Sequence, residues 1–346
     1  MSFAKRALRA ALSGLRRHFV SIRNARLRIR AARHKSRLAS IAGDFSAYPK
    51  VGFVFQFHNK SGNLEAVLAP FVKALKAKNV ILFADGCVDS TLPAASRLLL
   101  GPQQLVINRN YTHEISNYRM AANILSGWGC EYAVYLQDDD VYARPISLWL
   151  DSVLKMMEAD ASLSIVGLNG GVNVTTNSFR KADKRFTSAR FESVSIPNGS
   201  GGFDVINRLG EFSETGSVTI PATADASSHV YCATVNRAPQ VMRVSDILDL
   251  GYFPREMEPY QYDDYFNCFT AWLNGKKCLL APLSSKRGDV GVGGMRLFND
   301  VTINRRPAHF VRNHNFIVER FGDSIRAGII QDRVNQANAS PGRGDV

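Results

Sequence analysis

Apolar runs alternate with amphipathic stretches through the first half of the chain. Nearly continuous apolar runs cover "VGFVFQF" (51–57), "NVILFA" (79–84), "QLVIN" (104–108) and "YAVYLQ" (132–137). Stretches with helical spacing of apolar residues lie between them, at 62–78, 92–100 and 114–126. Strands that are buried on both faces have such apolar runs, and strand–helix alternation is typical of a parallel sheet covered by helices. The pattern predicts an α/β fold with a mixed, mainly parallel sheet flanked by helices.

Polar side chains follow three of these predicted strands at their carboxyl ends. They are His58 and Asn59, then Asp85 and Asp89, then Asp138 to Asp140. Ligands of open α/β sheets bind outside the carboxyl ends of the strands, so these groups are expected to line one crevice. Neighbouring carboxylates repel unless water, a basic group or a cation balances them. An exposed turn explains one such cluster, but three in succession favour a ligand site with a divalent metal ion on the aspartates.

No glycine-rich phosphate-binding motif follows the first strand. The sequence has neither G-x-G-x-x-G after that strand nor G-x-x-x-x-G-K-[S/T]. Positive charge for bound phosphates must therefore come from another source, and Mn²⁺ or Mg²⁺ on the aspartates would supply it. This favours a nucleoside-diphosphate ligand whose phosphates complete the coordination of the ion.

The amino-terminal segment 1–43 is strongly basic. It holds twelve Lys or Arg residues and no acid, and removing these twelve from the net charge of +13 leaves about +1 for the rest. Its apolar residues have the spacing of one helix face, at Leu8, Leu12, Leu15, Phe19 and Ile22. A cationic amphipathic helix is suited to the headgroup region of an anionic membrane. A solvated basic tail, contact with nucleic acid and a transit peptide are the alternatives.

Cysteine usage and hydropathy indicate a cytoplasmic protein. The five cysteines form no Cys-x-x-Cys pair, and no apolar run has the length of a membrane span or the form of a secretory signal. We therefore expect reduced thiols and a location in the cytoplasm, with peripheral contact at the cytoplasmic face of the membrane through segment 1–43. Since the remainder of the chain is close to neutral, nucleic-acid binding is not expected.

Four short motifs follow one another along the predicted strands and helices: "QFHN", "DGCVD", "SNYRMAAN" and "QDDD". In these motifs the chain resembles the family 2 glycosyltransferases, which have the GT-A fold of the nucleotide-diphospho-sugar transferases. The resemblance runs from Val51 to Leu283, with a weaker match to Phe321. It implies that the nucleotide of the donor contacts Gln56, His58, Asn59, Asp85, Gly86, Asp89, Arg119 and Asp138. It also implies a metal ion on the aspartates, in one of two registers: Asp138 with Asp140, or Gln137 in the first place with Asp139 as the main ligand.

The carboxy-terminal half resembles the acceptor side of that family, where an acidic pair begins a helix. Here the pair is Asp263 and Asp264, and the resemblance implies that Asp264, or in second place Asp263, is the general base of an inverting transfer. The alternative is that both acids favour the helix start, and Glu258 is a weaker candidate base. By the same resemblance His309, or His314, is a candidate metal ligand.

These features predict three parts: a basic helical extension (1–43), a GT-A-like domain (44–325) and a disordered tail (326–346). Two polar, glycine-containing segments, 177–217 and 284–309, are expected to be loops on the acceptor side and over the diphosphate. The expected function is metal-dependent, inverting transfer of a sugar to a glycan or lipid-linked hydroxyl in cell-surface polysaccharide assembly. The alternatives are a sugar nucleotidyltransferase and a non-catalytic nucleotide-sugar or glycan-binding module.

Overall fold

The computed structural model describes residues 47–138, 146–168, 171–172, 192–197, 203–208, 229–235, 239–281 and 307–339. The strands are β1 (Ala47–Phe57), β2 (Ala77–Asp85), β3 (Gln104–Arg109), β4 (Tyr132–Gln137), β5 (Leu163–Gly167), β6 (Gly171–Val172), β7 (Glu192–Pro197), β8 (Phe203–Arg208), β9 (Val230–Tyr231), β10 (Thr234–Val235), β11 (Gln240–Arg243) and β12 (Lys277–Leu280). The α-helices are α1 (Leu64–Ala69), α2 (Thr91–Leu98), α3 (His113–Gly127), α4 (Ile146–Ala159), α5 (Val244–Asp249), α6 (Asp263–Leu273), α7 (Pro307–Arg326) and α8 (Ile329–Ala339).

Eight of these strands form one sheet in the order β3-β2-β1-β4-β11-β5-β12-β9. Strands β3, β2, β1 and β4 are parallel, β11 is antiparallel to both of its neighbours, and β12 is parallel to β5. The carboxyl ends of β1, β2, β3, β4, β5 and β12 therefore lie at one edge, where β11 begins. This architecture confirms the predicted mixed, mainly parallel α/β sheet.

The core lies on both faces of the sheet because the side chains of β1 alternate between them. Val54 packs on one face with residues of α3, α6, α7 and α8, whereas Phe53 and Phe55 pack on the other face with residues of α1, α2 and α4. Both faces are apolar, as the near-continuous hydrophobic strands require. Polar groups of the central strands therefore concentrate where the strands end.

The helix predicted over 62–78 is interrupted at Pro70. Helix α1 ends at Ala69, and residues Pro70–Ala74 form a π-helical turn in which the Leu75 N–H donates to the Pro70 carbonyl. Proline has no N–H to donate and its ring crowds the preceding turn, which loosens the helix at this position. The chain then enters β2 at Ala77, two residues before the predicted strand.

The predicted disordered tail requires a correction, because residues 329–339 form helix α8. Ile330 and Val334, one helical turn apart, are buried against the core. The Asn338 amide also donates to the carbonyl of Tyr231 in β9 and accepts its N–H, both at 3.0 Å. Polar composition suggested disorder, but two apolar residues on one helix face are enough to dock this segment on the domain.

Several predicted features lie outside the described residues or are described only in part. Segment 1–43, Asp139, Asp140 and the loop 284–306 are outside them, and of segment 177–217 only the hairpin of β7 and β8 is described. Among the described helices, none is long and apolar enough to cross a membrane. All five cysteines are buried and none forms a disulfide, in agreement with the absence of a predicted disulfide framework.

Candidate functional site

Three polar segments meet at the carboxyl edge of the sheet, as the sequence predicts. Strand β1 lies between β2 and β4, so the loop 58–63 that follows it lies between the ends of those two strands. An acidic side chain from each neighbour accepts a backbone N–H of this loop: Asp138 from His58 at 3.0 Å and Asp89 from Ser61 at 2.8 Å. The loop after the central strand is thus fixed from both sides.

Asp138 is paired with a lysine that the sequence analysis did not identify. The Lys60 ammonium lies 2.8 Å from Asp138 Oδ1, and the two side chains are only 5% and 8% exposed. Asp138 Oδ2 accepts the His58 N–H. Each carboxylate oxygen therefore already has a protein donor, and one of the two donors carries a full positive charge.

The Asp85 carboxylate binds backbone N–H groups at the start of helix α3. Its two oxygens accept the backbone N–H groups of Thr112 at 2.9 Å and His113 at 2.7 Å, and the residue is 2% exposed. Gln56 donates to the same carboxylate at 3.4 Å and accepts from Asn117 at 2.9 Å. Asp85 therefore caps α3 from the end of β2, since it satisfies N–H groups that have no partner within the helix. Its predicted contact with a nucleotide base stays a prediction.

His58 and Asn59 form a polar link to the β2 loop. His58 Nδ1 lies 2.6 Å from the Asp85 carbonyl oxygen, and His58 Nε2 lies 2.9 Å from Asn59 Nδ2. Because a carbonyl accepts and an amide NH₂ donates, these partners assign the imidazole proton to Nδ1. Asn59 also accepts the Val88 N–H at 2.7 Å, with its backbone in the left-handed region (φ 53°).

Gly86 and Asp89 shape the loop after β2. Gly86 has φ +62°, and a Cβ atom there would lie 2.6 Å from the ring of Tyr111. Asp89 also accepts the Thr91 N–H at 3.0 Å. Although burial opposes the charge, hydrogen bonds from Thr91 and Ser61 lower the pKa of Asp89, so this loop carries a stable carboxylate.

Arg119 points to a different part of the domain. Its guanidinium donates to the Phe253 carbonyl at 2.7 Å and forms an ion pair with Glu258. It therefore joins α3 to the segment that precedes α6, apart from the hydrogen bonds that link His58, Asp85 and Asp138. Arg109, at the end of β3, is the arginine that joins the crevice network, through Thr112 at 3.1 Å and Asn117 at 3.0 Å. A cation at or shortly after the end of an apolar strand is the signal that could have identified both Arg109, the last residue of β3, and Lys60, three residues after β1.

The acidic pair begins helix α6, as predicted, and reaches the same edge of the sheet. Asp263 is 0% exposed, whereas Asp264 is half-buried and lies 3.4 Å from the side-chain amide of Gln240. Gln240 is the first residue of β11 and pairs with Tyr135 near the carboxyl end of β4. Burial, followed by the charge of Asp264, raises the pKa of Tyr265. Of the two acids, Asp264 has the exposure that contact with an acceptor requires.

Helix α7 supports the segment that leads into α6. The Asn313 amide donates to the carbonyls of Met257, Tyr260 and Gln261 at 2.8, 2.9 and 3.1 Å. The buried His314 packs against the ring of Tyr262, and burial lowers its pKa. His309 is partly exposed in the first turn of the same helix. The structure thus gives His314 a packing role, and the predicted metal contact of His309 stays a prediction.

A divalent ion does not fit Asp138 as this structure arranges it. An ion on this carboxylate would adjoin the Lys60 ammonium at the same atoms, and like charges at such separations repel strongly in a buried site. Within the described ranges, no group of three or more His, Cys, Asp or Glu side chains has a metal-binding arrangement. Asp139 and Asp140 lie outside those ranges, so their metal contacts stay predictions.

Comparisons with known proteins give structural similarities at low sequence identity. No protein-family profile and no curated protein matches the chain. The chain is similar to a crystal structure of GalNAc-T7 with UDP, GalNAc and Mn²⁺, at 12% identity and a TM-score of 0.47, covering 86% of this chain and 53% of that one. It is similar to a crystal structure of S. aureus TarS at 12% identity and a TM-score of 0.38, covering 67% of this chain and 35% of that one. At this level of similarity neither structure indicates what this chain binds.

Proposed function

We propose that this protein is a glycosyltransferase of the GT-A type that moves a sugar from a nucleoside-diphosphate donor to a hydroxyl group. The observation that carries this proposal is that the polar groups assigned below to the donor and the carboxylate assigned to the acceptor lie at the same place in the fold. The loops after β1 and β2, Asp138 at the end of β4 and the half-buried Asp264 all lie at the carboxyl edge of one sheet. Ligands of open α/β sheets bind at this edge.

The donor part of the crevice consists of the loops around His58, Asn59, Gly86 and Asp89. Hydrogen bonds between backbone and side-chain groups of the protein hold these loops in place. A site held in this way binds its ligand without a large cost for ordering flexible chain. We assign the nucleotide of the donor to this part.

The acceptor part is assigned to Asp264. In an inverting transfer the acceptor oxygen attacks the anomeric carbon as its proton passes to a carboxylate. The new carbon–oxygen bond forms while the bond from that carbon to the diphosphate breaks, and the nucleoside diphosphate leaves. Asp264 has the required exposure and is held by Gln240, whereas Asp263 is fully buried and supports the helix start. Asp264 is therefore the proposed general base.

Metal dependence is part of the proposal, with Asp139 and Asp140 as its candidate ligands and His309 as a further one. When bound, Mn²⁺ or Mg²⁺ would offset the charge that develops on the departing diphosphate. Asp138 is omitted from this set because of its pairing with Lys60. The proposed acceptor is a glycan or lipid-linked hydroxyl at the cytoplasmic face of a membrane, reached through the basic segment 1–43.

The test is the binding and turnover of a panel of UDP-, GDP- and CDP-sugars by the full chain, in Mn²⁺ and in EDTA. We expect turnover of at least one donor in Mn²⁺ and its loss in EDTA. Binding of a donor without turnover, in the presence of a panel of glycan and lipid-linked acceptors, would support a binding module instead. Pyrophosphate release from a nucleoside triphosphate and a sugar phosphate would support a nucleotidyltransferase.

A further inference from the structure

The buried pair of Lys60 and Asp138 lies at the centre of the proposed donor crevice. The Lys60 ammonium is 2.8 Å from Asp138 Oδ1, at the point where the central strands β1 and β4 both end. A lysine and an aspartate are rarely this deeply buried unless they are paired. Removing one partner of such a pair leaves an uncompensated buried charge, which is strongly destabilising.

The pair is part of a set of bonds that defines the shape of loop 58–63. Asp138 accepts the His58 N–H, and its backbone carbonyl accepts from the Asn63 side chain at 3.3 Å. The loop also closes on itself, because the Asn63 N–H donates to the Lys60 carbonyl at 3.0 Å. Asp138 thus holds the loop at its beginning (His58), its middle (Lys60) and its end (Asn63), and Asn59 lies between the first two of these attachments.

We propose that Lys60 and Asp138 form a positioning pair for the donor nucleotide. The Asp138 carboxylate binds the Lys60 ammonium and the His58 N–H rather than a divalent ion, and the pair fixes loop 58–63 in the conformation that receives the nucleotide. This proposal rests on the proposed function, since it names what shapes the donor site. Asp138, the first of the three consecutive aspartates, is therefore assigned as a positioning residue and not as a metal ligand.

The two roles differ in their dependence on metal. A positioning residue affects nucleotide binding whether or not a metal ion is present. A metal ligand affects it only when the ion is present, and its substitution in EDTA is without effect. The pair also predicts that the effects of the two substitutions on nucleotide affinity are not additive. Once Lys60→Met has removed the positive charge, Asp138→Asn should reduce the affinity little further.

The experiment is isothermal titration of UDP, GDP and CDP into the full chain in EDTA, for the wild type, Asp138→Asn, Lys60→Met and the double variant. We expect each single variant to bind the preferred nucleotide at least tenfold more weakly. The double variant should be no more than about threefold weaker than the weaker single variant. Lys60→Arg, which keeps the charge, should recover part of the affinity.

A matched pair at the opposite edge of the sheet is the control. The Lys276 ammonium lies 3.0 Å from Asp246 Oδ1, and Asp246 is buried. This pair lies beside the start of β12 and the end of β11. Asp246→Asn and Lys276→Met should leave nucleotide affinity unchanged. Thermal unfolding of every variant identifies a temperature at which all are folded, and the titrations are done there. If Lys60→Met does not fold, the affinities of Lys60→Arg and Asp138→Asn decide whether the pair positions the nucleotide.

Unchanged affinity of Asp138→Asn in EDTA, with weaker binding in Mn²⁺, would overturn the proposal and make Asp138 a metal ligand. Equal effects of the control pair would also overturn it, because the pair would then act only through general stability. A wild type that binds no nucleotide in EDTA but turns over a donor in Mn²⁺ would overturn the pair's role and leave the proposed function in place. Nucleotide binding that depends on the pair, without turnover of any donor, would support the role of the pair and overturn the proposed function.

Discussion

Replacing Gly86 by alanine tests how closely the loop after β2 is packed. The backbone at this position has φ +62°, which costs a residue with a Cβ atom roughly 1–2 kcal/mol. Alanine also lowers the conformational entropy of the unfolded chain, which stabilises the folded state by about 0.4–1 kcal/mol and offsets part of this cost. The new Cβ atom would lie 2.6, 2.7 and 2.9 Å from three atoms of the Tyr111 ring. Since carbon atoms prefer separations of roughly 3.5–4.0 Å, the ring must move.

The expected loss combines these effects. Overpacking of this kind costs about 1–3 kcal/mol, so Gly86→Ala should lower the free energy of unfolding by roughly 2–4 kcal/mol. Gly251 is the matched control, because it has φ +67° and no atom lies within 4 Å of the place that a Cβ atom would take. Gly251→Ala carries only the conformational cost, and about 1 kcal/mol or less is expected for it.

The measurement is urea unfolding followed by circular dichroism for the wild type, both glycine variants, Tyr111→Ala and the variant with Gly86→Ala and Tyr111→Ala together. Removing the ring should cancel the steric part, so the double variant should be more stable than the sum of the two single effects predicts. Equal losses for Gly86→Ala and Gly251→Ala, or strict additivity with Tyr111→Ala, would refute the packing argument. The ring centroids of Tyr111 and His58 are 5.7 Å apart. Because Gly86→Ala displaces the Tyr111 ring, we expect this variant to bind nucleotide more weakly as well.

Two further predictions concern the remaining basic groups. Arg119→Met should lower the free energy of unfolding by about 1–3 kcal/mol, because the bonds to Phe253 and Glu258 are lost. The nucleotide affinity measured by calorimetry should stay within about threefold of the wild type. A tenfold loss of affinity would instead support the predicted contact of Arg119 with the donor. The full chain should sediment with vesicles rich in phosphatidylserine at low salt, and deletion of 1–43 should abolish this. Sedimentation unaffected by the deletion would contradict a membrane role for that segment.

The sheet and the position of the crevice were predictable from local sequence patterns. Nearly continuous apolar runs mark strands buried on both faces, and His58, Asp85 and Asp138 follow directly after such runs. The start of α6 at Asp263 was likewise predictable, since acids are favourable in the first turn of a helix.

The partners of these groups were not predictable, because they depend on tertiary packing. Lys60 and Asp138 are far apart in the chain, and their pairing follows from the adjacency of β1 and β4. Similarly, Arg119 is directed to Glu258 by the way α3 packs beside the segment before α6. Spacing along one chain identifies the strand end on which a charge lies, but the sheet order decides which opposite charge it meets.

The proposed general base offers the most direct test of the central claim. Release of nucleoside diphosphate from the preferred donor should be measured in Mn²⁺ with acceptor present, for the wild type, Asp264→Asn and Asp249→Asn. Asp249 is an exposed acid at the end of α5 and serves as the control. General-base catalysis contributes about 10²–10⁴-fold, so Asp264→Asn should lose a factor of that order while Asp249→Asn keeps the wild-type rate. A wild-type rate for Asp264→Asn would contradict the account.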